Sequence, residues 1–169
     1  DKLFPEGTKS ALCRCLNKEI WDEYKDQKDA QGVSFKVMCF SGVKNLDSGI
    51  GLYAGSHDSY KCFNKLFDKI VQEYHGHGVE DKHVSNMSAD GLVNTEFSEE
   101  DAAMIISTRI RVGRNLADFP LGPGVSKAQR DEIETKVSTA LKKLTGEHAG
   151  TYYSLATMSK KDQEQLIAD

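Results

Sequence analysis

The sequence lacks the features of several large protein classes. No apolar run approaches the ~20 residues that a membrane-spanning helix needs, and the first residues have no signal-peptide layout. The 169 residues include 22 basic and 26 acidic side chains, so there is no overall cationic field of the kind that binds nucleic acids non-specifically. There is also no internal repeat and no low-complexity tract. These absences predict a soluble, cytoplasmic protein without a membrane or nucleic-acid partner.

Metal-binding and disulfide patterns are missing too. The four cysteines, at positions 13, 15, 39 and 62, do not have the paired C-x-x-C spacing of a zinc site. Cys13 and Cys15 lie two apart in a helical pattern, so their side chains point to different faces. The histidines lack a clustered carboxylate pattern around them. We therefore expect free, mostly buried thiols and no metal held by the protein itself.

The two ends of the chain also lack expected signals. The sequence begins without methionine and ends inside a charged helical run that no glycine or other stop signal follows. Its length suits one domain, or a small domain with part of another. We expect a fragment of a longer protein.

Hydrophobic periodicity predicts a small all-helical domain over residues 1–76. Residues 8–27 suit two short helices that meet near Asn17. Residues 56–74 carry one broad apolar face at helical spacing, and Gly76 is the expected stop.

Two further helices are predicted. Residues 33–43 suit a buried helix, although their β-branched content leaves a strand open. In the helical interpretation, three apolar side chains face neighbouring elements: Val37, Met38 and Phe40. Further along the chain, Ser126 and Gln129 have the spacing of a capping box and predict that a helix begins there.

The second half of the sequence predicts a linker followed by a different kind of domain. Residues 77–102 turn polar and glycine-containing, which indicates a linker. In residues 103–169, strand signals at 104–112 and 150–155 flank a helix. The predicted fold class is mainly α: an all-helical N-terminal domain, a linker and the first strand-helix-strand portion of a second domain.

The first predicted strand carries closely spaced arginines. Because side chains alternate along a strand, Ser107, Arg109 and Arg111 share one face and the apolar residues share the other. Two guanidinium groups about 7 Å apart along a strand suit phosphate oxygens, since their planar forks donate in pairs. The alternative is a solvated face whose arginines pair with Asp or Glu.

A glycine-rich stretch precedes the clearest helix. Residues 45–55 contain three glycines within seven positions, which predicts a loop whose backbone approaches another molecule closely. Gly49 and Gly51 do not continue into a G-x-G-x-x-G dinucleotide motif. Consecutive N–H groups could instead bind a carboxylate or phosphate, with Tyr53 as a side wall. The alternative is an ordinary turn between helices.

Four separated motifs occur in a fixed order along the chain. They are S-G-V-K-N-L-D-S-G-I-G-L-Y-A at 41–54, Y-H-G at 74–76, S-T-R-I-R-V-G-R at 107–114 and G-T-Y-Y at 150–153. In that order and spacing they resemble the phosphagen (ATP:guanidino) kinase family, and within it the arginine kinases most of all. The resemblance implies reversible transfer of the γ-phosphoryl group of ATP to a guanidino substrate. It also implies that the strand-helix-strand portion begins an α/β antiparallel-sheet catalytic domain.

The resemblance also implies the site. Phosphate contacts to ATP or ADP, with Mg²⁺ held through the nucleotide, would come from the S-T-R-I-R segment: Ser107, Thr108, Arg109, Ile110 and Arg111. Contacts to the guanidino substrate would come from the glycine-rich loop: Ser48, Gly49, Ile50, Gly51, Leu52 and Tyr53. L-arginine is the expected substrate, with taurocyamine and lombricine as alternatives.

The sequence departs from the family pattern in two ways. Ser154 stands where the family often has proline, and the downstream carboxylates, reactive cysteine and remaining arginines have no counterpart. Catalytic residues are therefore expected beyond Asp169, and the chain alone is expected to be inactive without the C-terminal part of the same enzyme. Whether that enzyme is a homodimer stays open. The other hypothesis is a non-catalytic helical module that binds an anion or a protein.

Overall fold

The computed structural model describes residues 4–92 and 96–168. The chain divides into two compact units, Asp1–Gly124 and Val125–Asp169, which we call the N-terminal and C-terminal units. The domain limits expected at residues 76 and 102 both fall within the N-terminal unit, and they stay predictions.

The described residues form eight α-helices. The N-terminal unit contains α1 (Ala11–Cys15), α2 (Lys18–Tyr24), α3 (Phe35–Lys44), α4 (Ser59–Cys62), α5 (Asn64–His75) and α6 (Glu99–Met104), and ends in a 3₁₀ turn at Gly122–Gly124. The C-terminal unit contains α7 (Lys127–Leu141), a 3₁₀ turn at Gly146–His148 and α8 (Lys160–Ala168). None of these helices is long and apolar enough to cross a bilayer.

The helix ends follow the local signals in the sequence. Asn17 separates α1 from α2, and its side chain accepts a hydrogen bond from the backbone N–H of Ile20 at 2.9 Å. Gly76 ends α5 with φ +70°, a conformation that glycine adopts without steric conflict. Ser126 and Gln129 form the capping box at the start of α7. All three predictions are confirmed.

An aromatic cluster forms the centre of the N-terminal unit. Phe35 of α3 and Phe63, between α4 and α5, are fully buried, and their ring centroids lie 5.1 Å apart. Tyr24 of α2 packs against both rings, at 5.5 and 5.2 Å. Burying each such side chain contributes roughly 1.5–3 kcal/mol, and the ring contacts add to this. The cluster therefore joins α2, α3 and the α4–α5 junction into one core.

A buried carboxylate connects two loops next to this core. Asp29 is 6% exposed, and one of its oxygens accepts hydrogen bonds from the N–H groups of Gln31 and Val33 at 3.0 and 2.9 Å. Its other oxygen accepts from the hydroxyl of Ser59 at 2.7 Å. The Ser59 hydroxyl in turn accepts from the N–H of Gly55 at 3.1 Å. The network fixes the chain on both sides of α3.

The buried face of α3 differs from the expected one. Met38 is fully buried as predicted, but Val37 and Phe40 are 44% and 59% exposed, so their predicted packing is wrong. The helix instead buries Phe35, Met38, Cys39 and Gly42. Positions 38, 39 and 42 follow position 35 by three, four and seven residues, which is the spacing of one helical face, and Val37 and Phe40 lie outside it.

The two predicted strands are wrong. Across residues 4–92 and 96–168, β-structure is limited to one isolated bridge between Lys28 and Ser34. Met104 ends α6 and Ile106 is 98% exposed. A strand needs a neighbour that takes up its backbone N–H and C=O groups, and no described segment pairs with residues 104–112 or 150–155. The alternating apolar residues at 104–112 therefore do not belong to a sheet in the described part of the chain.

The Asp29 network yields a stability prediction. We expect Asp29→Ala to lower the free energy of unfolding by about 2–4 kcal/mol, because it leaves buried donors without an acceptor. Urea titration measures this as a shift of the midpoint at constant m-value. Asp26→Ala is the matched control: it removes only an ion pair to Lys36, with the Asp26 side chain 74% exposed, and should change the stability by less than about 1 kcal/mol. Equal effects of the two substitutions would contradict a structural role for the network.

Candidate functional site

The glycine loop, residues 48–53, is held against α1 by its carbonyl groups. The carbonyl of Gly49 accepts a hydrogen bond from the N–H of Ala11, and that of Ile50 accepts from the N–H of Leu12, both at 2.9 Å. The first N–H groups of a helix have no acceptor within the helix itself. The loop supplies those acceptors, so the start of α1 and the loop fix each other.

A second pair of backbone hydrogen bonds joins the loop to α3. The N–H of Gly42 donates to the carbonyl of Gly51 at 3.0 Å, and the N–H of Tyr53 donates to the carbonyl of Met38 at 3.1 Å. Gly51 has φ +78°, which favours glycine. A Cβ atom added to Gly42 would lie 2.6 Å from the Gly51 carbonyl oxygen. The two glycines therefore permit a direct contact between backbones.

Sequence reasoning did not single out Gly42 as part of the site. The available signal was a glycine inside a predicted helix, which often marks a close backbone approach.

The carbonyl contacts fix the direction of the loop amides. A peptide group is planar, and in the trans form its C=O and N–H point to opposite sides. The chain has no cis peptide among its described residues. Because the carbonyls of Gly49 and Ile50 point to α1 and that of Gly51 points to α3, each following N–H group points away from the helix that its carbonyl contacts. Those N–H groups belong to Ile50, Gly51 and Leu52, and none of them donates a hydrogen bond within the described part of the chain.

The outer edge of the loop is open. Gly49 is exposed, and a Cβ atom placed on it would have no neighbour within 4 Å. Ser48 is half-buried and donates its N–H to the carbonyl of Asn45 at 3.0 Å. Ile50 is half-buried, whereas Gly51 and Leu52 are buried. Chemically, the edge at Gly49 and Ile50 offers backbone donors to an anion, as a carboxylate site requires.

An apolar groove runs between the loop and α5. Its volume is about 210 Å³. Tyr53, which is 49% exposed, lies in its wall. Other lining residues are Leu52, Tyr60, Phe67, Ile70 and Tyr74. The side chain expected to form a side wall is therefore located beside the loop amides.

The predicted phosphate-binding segment is exposed along its whole length. Ser107, Thr108, Arg109, Ile110 and Arg111 belong to neither a helix nor a strand. Among the residues that the structure describes, neither arginine has a hydrogen bond or an ion pair. Their guanidinium donors are accordingly open to a ligand.

The cysteines are all free, but only Cys39 is buried; Cys13, Cys15 and Cys62 are half-buried. Burial raises the pKa of the Cys39 thiol to about 12. Burial and a hydrogen bond to Glu73 raise the pKa of Cys15 to about 11. These two thiols stay protonated at neutral pH, which disfavours a nucleophilic role.

Comparison with known protein families gives a match over the part of the chain that contains the glycine loop. Residues 6–72, which include the glycine loop, α1 and α3, match the family described as ATP:guanido phosphotransferase, N-terminal domain. Residues 6–72 form a phosphagen kinase N-terminal domain. The similarity continues beyond this domain, into the arginine-containing segment and the C-terminal unit.

The similar sequences include arginine kinases. The arginine kinase of Penaeus monodon is 42% identical over 163 residues, which is 95% of this chain and 45% of the relative. The arginine kinase of Anthopleura japonica is 40% identical over 173 residues, covering 99% of this chain and 24% of that protein. The chain thus spans less than half the length of these curated relatives.

Solved phosphagen kinases share the fold of the chain. A crystal structure of lombricine kinase superposes with a TM-score of 0.80 at 30% identity, over 96% of this chain and 44% of the other. The duplicated taurocyamine kinase of Schistosoma mansoni, with bound transition-state-analogue components, gives a TM-score of 0.78 at 28% identity, over 96% and 23% of the two chains.

Proposed function

We propose that this chain is the N-terminal part of a phosphagen kinase that transfers the γ-phosphoryl group of ATP reversibly to L-arginine. The observation that carries the proposal is the glycine loop, whose carbonyls are held by α1 and α3 while the N–H groups of Ile50, Gly51 and Leu52 have no acceptor among the described residues. The similar sequences support arginine, since two arginine kinases are 42% and 40% identical to the chain.

In this proposal the loop binds the amino-acid end of the guanidino substrate. The N–H groups of residues 49–52 donate to its carboxylate, and Tyr53 contributes a hydroxyl at the rim. Ser48 also belongs to the substrate-binding segment in this proposal. The loop is short, so it leaves space for a substrate as long as arginine, whereas a longer loop would favour smaller guanidino acids such as creatine.

Residues 107–111 bind the nucleotide phosphates in this proposal. Arg109 and Arg111 neutralise the phosphate oxygens through planar, paired donors, and Ser107, Thr108 and Ile110 complete the segment. ATP supplies the phosphoryl group, with Mg²⁺ held through the nucleotide. Because this chemistry depends mostly on positioning and charge neutralisation, arginine clamps suit it.

The remaining groups of the site are assigned to a C-terminal part of the same enzyme, because the chain spans 45% of the Penaeus monodon relative. The chain alone is then inactive, since half of the positioning groups are absent. A cytoplasmic location accompanies this assignment, and the complete enzyme is either a monomer or a homodimer.

The arginine assignment predicts a loss of nucleotide binding. In the complete enzyme, Arg109→Ala with Arg111→Ala should weaken MgADP binding by about 1.5–3 kcal/mol per arginine, as measured by titration calorimetry. The double Lys variant should recover little, because a point charge does not reproduce the guanidinium fork. Arg130→Ala is the control; Arg130 donates to the carbonyl of Val125 at 2.9 Å and should not affect nucleotide binding. Unchanged MgADP affinity in the double Ala variant would make the two arginines a surface feature only.

The substrate assignment predicts the order of kcat/KM. The complete enzyme should prefer arginine over creatine, taurocyamine and lombricine in a coupled assay, and the isolated chain should show no turnover. Gly49→Val should fold, because a Cβ atom there meets nothing within 4 Å, yet raise KM for arginine while sparing KM for ATP.

Three outcomes would count against the assignment. A preference for taurocyamine or lombricine would overturn the choice of substrate. A Gly49→Val enzyme with a defect only towards ATP would indicate that the loop binds the nucleotide and not the guanidino substrate. Absence of transfer to every guanidino compound would favour the non-catalytic binding module.

A further inference from the structure

We propose that Gly42 and Ser10 are positioning residues for the guanidino substrate: they set the location of the glycine loop without touching the substrate. The inference rests on the proposed function, because it assumes that the loop amides bind the substrate carboxylate. Neither residue belongs to the loop.

Gly42 controls the distance between α3 and the loop. A Cβ atom on Gly42 would lie 2.6 Å from the carbonyl oxygen and 2.8 Å from the Cα atom of Gly51, and 2.8 Å from a methyl group of Leu12. Leu12 is fully buried, and the Gly51 atoms are backbone, so neither neighbour can turn aside as a flexible side chain would. Any residue larger than glycine must therefore displace the loop.

Ser10 holds the other side of the same contact. It is fully buried, and its hydroxyl accepts a hydrogen bond from the N–H of Cys13 at 3.2 Å, which caps the first turn of α1. Its Cβ and Oγ atoms lie 3.0 and 3.1 Å from the position that a Cβ atom on Gly51 would take. Ser10 therefore sets the start of α1, whose N–H groups bind the loop carbonyls.

Displacement of the loop acts on the substrate through peptide geometry. Each loop carbonyl that accepts a hydrogen bond from α1 or α3 shares a rigid plane with the next N–H group. A shift or rotation of the carbonyl therefore redirects the amide. Misplacement of binding groups by about 1 Å can reduce the efficiency of an enzyme by roughly two orders of magnitude. Nucleotide contacts from residues 107–111 do not depend on these peptide planes.

The test compares three glycine-to-alanine variants of the complete enzyme. Gly42→Ala should raise KM for arginine by about tenfold and leave KM for ATP within about twofold. Gly124→Ala introduces a similar clash elsewhere, 2.5 Å from a Val33 methyl group and 2.9 Å from the Gly55 carbonyl oxygen. This variant should lower the thermal stability, but it should not change KM for arginine relative to KM for ATP. Gly91→Ala meets nothing within 4 Å and should behave as wild type.

Ser10→Ala decides the matter if Gly42→Ala does not fold. It removes the cap without adding a clash, and should raise KM for arginine by about threefold or more with KM for ATP unchanged. Restoration by Ser10→Thr, which keeps the hydroxyl, would support the positioning role.

The inference and the proposed function fail in different ways. Wild-type enzyme without any guanidino kinase activity would refute the proposed function and the inference with it. An active wild type whose folded Gly42→Ala variant has an unchanged KM for arginine would overturn the inference alone. The inference would also be overturned if Gly124→Ala raised KM for arginine but not KM for ATP, as Gly42→Ala is expected to do. The effect would then follow from the loss of stability and not from the position of the loop.

Discussion

The organisation of the N-terminal unit depends on a backbone-to-backbone contact between the glycine loop and two helices. The carbonyls of Gly49 and Ile50 complete the start of α1, and the carbonyl of Gly51 accepts from α3. These bonds satisfy backbone groups that would otherwise be unpaired near the core. They also turn each following N–H group away from the helix that its carbonyl contacts. Structural stability and the orientation of the candidate binding site therefore share the same hydrogen bonds.

Much of the helical part could be predicted from the sequence because its signals are local. Asn17, Ser126 and Gly76 act on their own helix ends, and the apolar face of residues 56–74 is a periodic pattern, although the structure divides this segment at Phe63 into α4 and α5. The strand prediction for residues 104–112 failed because a strand is not local; its hydrogen bonds need a second segment. The relatives are more than twice as long as this chain, and we expect the pairing strands in the length that it does not span.

For the candidate site too, local features could be predicted from the sequence and features that depend on tertiary packing could not. The glycine content of residues 45–55 correctly predicted a loop, but the close backbone approach was predicted to another molecule, whereas the approach that the structure contains is to α1 and α3. That choice depends on tertiary packing, as does the burial of Asp29 beside Ser59. The roles of Arg109 and Arg111 rest on motif order and chemistry, because the described contacts of the chain do not include them.

Amide hydrogen exchange of this chain tests the central claim most directly. The first amides of a helix normally exchange fast, since they lack acceptors within the helix. We predict slow exchange at the donors to the loop carbonyls: Ala11, Leu12 and Gly42. We predict faster exchange at the three loop amides that lack an acceptor among the described residues: Ile50, Gly51 and Leu52. Fast exchange at Ala11 and Leu12, or protection of the three loop amides in the absence of ligand, would contradict the account.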